Sequence, residues 1–169
     1  DADVYKFLHY FTFLSLAEIS DIEIEDKAAS GRPKAQGILA REATTLVHGD
    51  DGLNAALRIT EAMFSGELSD LSEQDFEQLC QDGLPSSSLS DLDLQDKPLT
   101  NLLVEAGMVK SGREVKDALS RNSVLVNGQA KGLEDNMRTA DLFPPKGGIY
   151  ERYYLVKLGK KKYHLFQRI

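Results

Sequence analysis

Apolar residues recur at helical spacing through the first 83 positions. Val4, Phe7, Leu8, Phe11 and Leu14 predict a helix with one apolar stripe. A second helical stretch starts near Ser15 and Ala17-Glu18, runs through Ile19 and Ile22, and fades at Ala29-Ser30-Gly31. Pro33 suits the first turn of a third, striped by Ala35, Ile38, Leu39, Ala43, Leu46 and Val47 and ending at His48-Gly49. Gly37 weakens that helix by about 1 kcal/mol. Asp50 or Asp51 can cap a fourth, with Leu53, Ala56, Leu57, Met63 and Phe64 on its face and Gly66 as its stop. Ser72-Glu73-Gln74-Asp75 is a capping-box-like start for a short fifth helix carrying Phe76, Leu79 and Cys80. Short connections predict a helical bundle over residues 1–83.

The pattern breaks at residues 84–97. Gly83-Leu84-Pro85-Ser86-Ser87-Ser88 is turn chemistry, and Leu89, Leu92 and Leu94 stand among aspartates with no helical face. This predicts a linker, with at most one short extended piece, and a domain boundary. From Pro98 a helix bears Leu99, Leu102, Leu103 and Ala106 and closes at Gly107. Ser111 is the expected cap of a second, with Val115, Ala118 and Leu119 inward. Val124-Leu125-Val126 then forms a strand ending in Asn127-Gly128, a strong hairpin signal. Tyr153–Leu158 alternates as a strand, Gly159 to Lys162 turns, and Tyr163–Phe166 returns. The fold class is α+β: an all-α bundle, a linker at 84–97 and an α/β domain over 98–169.

Charge sharpens that division. Residues 1–96 hold 20 Asp/Glu against 6 Lys/Arg, whereas residues 97–169 hold 7 against 14, so the overall −7 hides a basic module. A clustered positive field attracts polyanions. Cys80 is the only cysteine, which excludes an internal disulfide and makes a reducing cytoplasm the expected compartment. No apolar run is long enough for a membrane span. Asp1-Ala2-Asp3 leads without an initiator Met into the first stripe, as the interior of a longer polypeptide does.

The candidate chemistry is binding. A helix starting at Ser111-Gly112 offers free N–H groups to a phosphate, and Lys110, Arg113 and Lys116 cluster there, with Arg121 further along. Lys160, Lys161 and Lys162 at the hairpin tip have no local carboxylate. Arg32 and Lys34 are the only close basic pair in the acidic half. Tyr150, Tyr153, Tyr154 and Tyr163 can stack on bases, although strand tyrosines commonly pack into cores. The same charges also suit a solvated face. His9, His48 and His164 lie far apart in structural settings, the three adjacent serines lack a glycine elbow, and no His/Cys spacing suits zinc. No catalytic or metal residue is therefore assigned.

Residues Pro98–Gly128 resemble the αL-type RNA-binding domain named after ribosomal protein S-four: a Leu-rich helix, Gly107, Ser111 followed by basic residues, then Val124-x-Val126-Asn127-Gly128. Ala35-Gln36, Leu46-Val47-His48-Gly49, Gly52-Leu53-x-Ala55-Ala56, Ile59-Thr60-Glu61 and Met63-Phe64-Ser65-Gly66 look like the anticodon-binding region of bacterial tyrosyl-tRNA synthetases. Phe76-x-x-Leu79, Asp82-Gly83 and Gly159-Lys160-Lys161-Lys162-Tyr163 are similar to the same family, whereas Pro144-Pro145-Lys146-Gly147-Gly148 reads as an added loop. The chain has neither His-x-Gly-His nor Lys-Met-Ser-Lys-Ser and no Rossmann-like alternation. The resemblance implies a C-terminal region that grips the anticodon stem-loop and long variable arm of tRNA-Tyr. A separate domain would activate tyrosine with ATP and Mg²⁺ and form the homodimer, leaving this region monomeric and non-catalytic. Two other readings are a general structured-RNA module and a protein-interaction module.

Overall fold

The first stripe forms α1 (Val4–Phe11) in a computed structural model describing residues 3–65, 67–95 and 97–169. Ser15 and Glu18 make a reciprocal capping box at the start of α2 (Leu16–Ala28), with Ser15 N donating to Glu18 at 2.8 Å. The next helix, α3 (Ala35–Ser65), is capped from a distance. The Asp26 carboxylate accepts Lys34 N at 2.6 Å, Ala35 N at 3.0 Å and the Tyr5 hydroxyl at 3.2 Å. Pro33 therefore precedes the helix instead of occupying its first turn. Val4, Leu8, Ile19 and Ala35 form the small core of this region.

The third and fourth predicted helices are the two arms of α3, which meet at Gly49. Its φ of 70° and ψ of −178° lie in a region open essentially to glycine alone. The expected break at His48-Gly49 is thus a kink within one element. The expected stop at Gly66 lies outside the described residues, as do Asp1, Ala2 and Asp96.

Two compact units divide between Glu61 and Ala62, not at 84–97. The second unit starts with the last turn of α3 and includes α4 (Glu73–Gln78), which opens on the expected Ser72/Asp75 capping box and runs into a π turn. The segment expected as a linker is integrated. Ser86–Leu89 is a strand, β1, and Ser90 caps a helical turn, α5 (Asp91–Leu94). Leu89 and Leu94 are both buried and fasten this stretch to the core. Then follow α6 (Leu99–Glu105), α7 (Gly112–Leu119), β2 (Val124–Val126), β3 (Gln129–Lys131), α8 (Thr139–Leu142), β4 (Tyr153–Leu158) and β5 (Lys162–Arg168).

The sheet order is β1-β5-β4-β2-β3, with β1 parallel to β5 and the other pairs antiparallel. Asn127 (φ 48°) and Gly128 (φ 80°) supply the two positive angles of a type I′ turn between β2 and β3. Successive β4 side chains point to opposite faces, and both faces are covered. Tyr154 and Val156, with Phe166 and Val124, pack with Leu99 and Leu103 of α6 and Val115 and Leu119 of α7. On the other face Tyr153 stacks on Phe76 of α4 at 5.2 Å, and Tyr163 donates its hydroxyl to Met63 O at 3.0 Å. That backing explains why the segment after Glu61 belongs with the sheet. The fold is α+β. Among the described residues no helix is long and apolar enough to cross a membrane.

Candidate nucleic-acid interface

The end of α6 positions the basic residues that follow. Gly107 takes φ +72°, its N–H donates to Val104 O at 2.9 Å, and Met108 N donates to Leu103 O at 3.1 Å. These two bonds make a Schellman stop, sealed by the buried Met108. Val109 is buried too, leaving Lys110 and Ser111 exposed at the entrance to α7. Ser111 holds the N-cap position with extended backbone, but its side chain accepts nothing from the helix. Its hydroxyl turns to Glu114 at 3.5 Å, so the expected side-chain cap is not made. Arg113 and Lys116 lie on the exposed side of α7, opposite Val115, Ala118 and Leu119. Arg121 stays exposed while its Nε donates to Asp117 O at 3.0 Å.

The hairpin tip is tied to this helix. Gly159 N donates to Ser123 O at 2.9 Å, just beyond Arg121, which places the turn beside the end of α7. Lys160 and Lys161 occupy the turn, and Lys162 opens β5 rather than completing the turn; all three are exposed. A groove of about 350 Å³ is lined by Lys161 and Lys162 together with Leu84, Pro85, Ala106 and Met108. The structure thus brings the hairpin lysines onto one concavity with the loop that leads to Lys110. None of Lys110, Arg113, Lys116, Arg121, Lys160, Lys161 and Lys162 forms an ion pair with a described carboxylate.

Neighbouring cations behave differently. Arg152 lies 3.8 Å from Glu73 and 5.0 Å above the Tyr153 ring. Arg168 donates to Phe143 O and pairs with Asp91. Lys157 sits 5.1 Å above the Tyr163 ring. Carboxylates from residues 62–96 therefore neutralise the two arginines flanking the hairpin and leave its tip free. Tyr153 and Tyr154 are core residues at 1% exposure, and the Tyr150 and Tyr163 hydroxyls donate to Leu71 O and Met63 O. Stacking on bases is excluded for the buried pair.

Arg32 and Lys34 belong to the first unit, not to the body that carries this surface. Arg32 is exposed; Lys34 is exposed and pairs with Glu25 at 3.3 Å. His9 and His48 are exposed. His164 is buried on the sheet, with Nε2 2.9 Å from Ser87 Oγ and, among the described residues, no hydrogen-bond partner on Nδ1. Burial pushes its pKa below the ordinary imidazole value. Among the described residues no cluster of three or more His, Cys, Asp or Glu is placed to hold a metal ion. The groove walls Leu84, Pro85 and Met108 carry no signal in the sequence, because two fall in the apparent linker and the third lies in the short loop past the Gly107 stop.

Comparison with known proteins assigns the frame that this surface decorates. The family described as the tyrosine–tRNA ligase SYY-like C-terminal domain matches residues 75–166, which takes in nearly all of the sheet and the helices α5 to α8. A tyrosine–tRNA ligase of Dechloromonas aromatica is 45% identical over 166 residues, covering 98% of this chain and 37% of the relative. The corresponding ligase of Aliivibrio fischeri is 42% identical over 166 residues with the same coverage. Tyrosine–tRNA ligase 1 of Vibrio parahaemolyticus is 44% identical over 168 residues, 99% of this chain and 37% of the relative. The chain spans a little over a third of the length of these relatives, and by the match over 75–166 it belongs to the tyrosine–tRNA ligase SYY-like C-terminal domain family.

Proposed function

We propose that this chain is the tRNA-holding C-terminal part of a tyrosine–tRNA ligase. The observation that carries the reading is the surface of α7 and the hairpin tip, where seven cationic side chains stand without carboxylate partners among the described residues. Such a surface positions RNA through phosphates, without itself reading sequence. In this reading Lys110, Ser111, Arg113, Lys116 and Arg121 hold one stretch of backbone, and Lys160, Lys161 and Lys162 hold a neighbouring one. Arg32 and Lys34 touch the anticodon stem. The partner is tRNA-Tyr, gripped at the anticodon stem-loop and the long variable arm, in the cytoplasm. Tyrosine activation with ATP and Mg²⁺ takes place on a separate catalytic domain, which also makes the homodimer. The chain alone is monomeric and does not aminoacylate.

Binding of the chain to tRNA-Tyr, to a tRNA without a long variable arm and to duplex RNA, each across a salt series, tests this. Neutralising about six phosphates gives a log–log slope of about −4 to −5, with tRNA-Tyr bound most tightly. Equal affinity for all three RNAs moves the assignment to a general structured-RNA module. Absence of binding at low salt moves it to a protein-interaction module.

A further inference from the structure

We propose that the groove beside the hairpin tip receives one unstacked nucleotide of the bound RNA, base against its apolar wall and phosphate on its lysine rim. This rests on the RNA-binding reading above and adds to it a specific element of RNA structure. The groove has two chemically distinct sides. Leu84, Pro85, Ala106 and Met108 make an apolar wall, while Lys161 and Lys162 stand at its edge. Neither lysine pairs with a described carboxylate, so the rim is complementary to a phosphodiester. Gly107, also lining the groove, would bring a Cβ within 4 Å of nothing, which leaves that side open to an entering group.

His164 also lines the groove, with its Nε2 2.9 Å from Ser87 Oγ. A base-paired helix presents phosphates and sugars to a surface of this kind, but its bases stay stacked and cannot enter a concavity. Proteins that recognise RNA bases do so at bulges, loops and ends, where a base can be splayed onto an apolar or aromatic face. Wall and rim together fit one nucleotide better than a run of duplex.

Three RNA hairpins of the same stem test the subsite by fluorescence anisotropy with the whole chain at low salt. One is fully paired, one carries a single-nucleotide bulge and one has that bulge without its base. The bulged RNA is expected to bind about tenfold more tightly than either control, the scale of one base stacked on a protein face. A 2-aminopurine placed in the bulge should change its emission on binding. Leu84→Ser with Pro85→Ser should abolish the preference while leaving affinity for the paired stem unchanged. If that variant fails to fold, the comparison of bulged and abasic RNA on the native chain decides alone. Equal binding of those two with unchanged 2-aminopurine emission overturns the subsite and leaves the RNA-binding reading intact. No binding of any of the three overturns the subsite, and the RNA-binding reading falls with it when tRNA-Tyr at low salt is not bound either.

Discussion

The two units reach order by different means. Among the described residues the first buries Val4, Leu8, Ile19 and Ala35 as a cluster, and leaves Tyr10, Phe13, Leu16 and Val47 at 67%, 89%, 75% and 71% exposure. Its geometry leans on polar devices: the Ser15 capping box and the Asp26 carboxylate that closes the start of α3. The second unit covers both faces of a five-stranded sheet, with Tyr153, Tyr154, Phe143 and Phe166 all buried. Charge follows neither unit cleanly. The basic half starts near Lys97 but the second unit starts at Ala62, so Glu73 and Asp91 sit inside the same body and quench Arg152 and Arg168. The cations of α7 and the hairpin tip stay without a described carboxylate partner, as do Lys131, Lys146 and Lys157.

The largest expected effect tests the difference in packing. Phe166→Ala removes a fully buried ring packed on Phe143, at 5.6 Å between centroids, and should cost about 3–5 kcal/mol in urea unfolding. Leu8→Ala in the smaller core should cost about 2 kcal/mol, the low end for a buried leucine, since the surrounding helices can settle into the space. Equal losses from the two substitutions would break the contrast.

Next in size is Gly49→Ala. No heavy atom lies within 4 Å of a Cβ built there, so the cost is backbone strain alone, about 1–3 kcal/mol. The loss should appear in amide exchange of the first unit and leave that of the β4–β5 pair unchanged. Slowed exchange across the whole chain would show that the kink carries no strain.

Much of this is legible in the amino-acid sequence. The Ser72 capping box, the break at Gly49, the Asn127-Gly128 turn and the C-terminal hairpin are local chemistry, and local chemistry is written in short windows. What was not legible is non-local. β1 is four residues of serine and leucine with only Leu89 buried, and its partner lies at the far end of the chain. No alternation over so short a run distinguishes it from a linker. The helices after Glu61 read as part of the bundle because their apolar faces are helical, yet Phe76 spends its face on Tyr153. The cationic residues were legible as types, while their freedom from carboxylates depended on which acids the fold brought near. Arg152 and Arg168 look no less available in the sequence than Lys160.

The binding contrast comes third. Arg113→Glu with Lys116→Glu should weaken tRNA binding by about tenfold or more and reduce the magnitude of the salt slope by about two, one for each phosphate no longer neutralised. Arg32→Glu should have the smaller effect, at most about one phosphate, because it stands in an acidic unit. A larger loss from Arg32→Glu would transfer the weight of binding to the first unit.

The smallest effect separates the units by pH. His164 is buried, and desolvation holds its pKa below the unfolded value of about 6.5. The stability due to its neutral form is complete above about pH 6.5 and is lost as pH falls toward the folded value, because the unfolded chain then binds the extra proton. Asp26 is also lowered, chiefly by the Lys34 backbone N–H, against the opposing push of desolvation and with help from the Ala35 N–H and the Tyr5 hydroxyl. Its contribution is intact above the unfolded carboxylate value of about 3.9 and is lost below it. Glu18, lowered by Ser15, and Asp93, lowered by Ser90, act in the same acid window, one in each unit. Between about pH 6.5 and 4.5 these groups therefore weaken only the second unit, and exchange-resolved stability should show the sheet losing protection while α1 and α2 hold theirs. His164→Gln should flatten the sheet's profile in that interval and leave the acid limb below about pH 4 in place. A profile unchanged by His164→Gln would mean that the imidazole takes up a proton within the folded sheet as readily as in water.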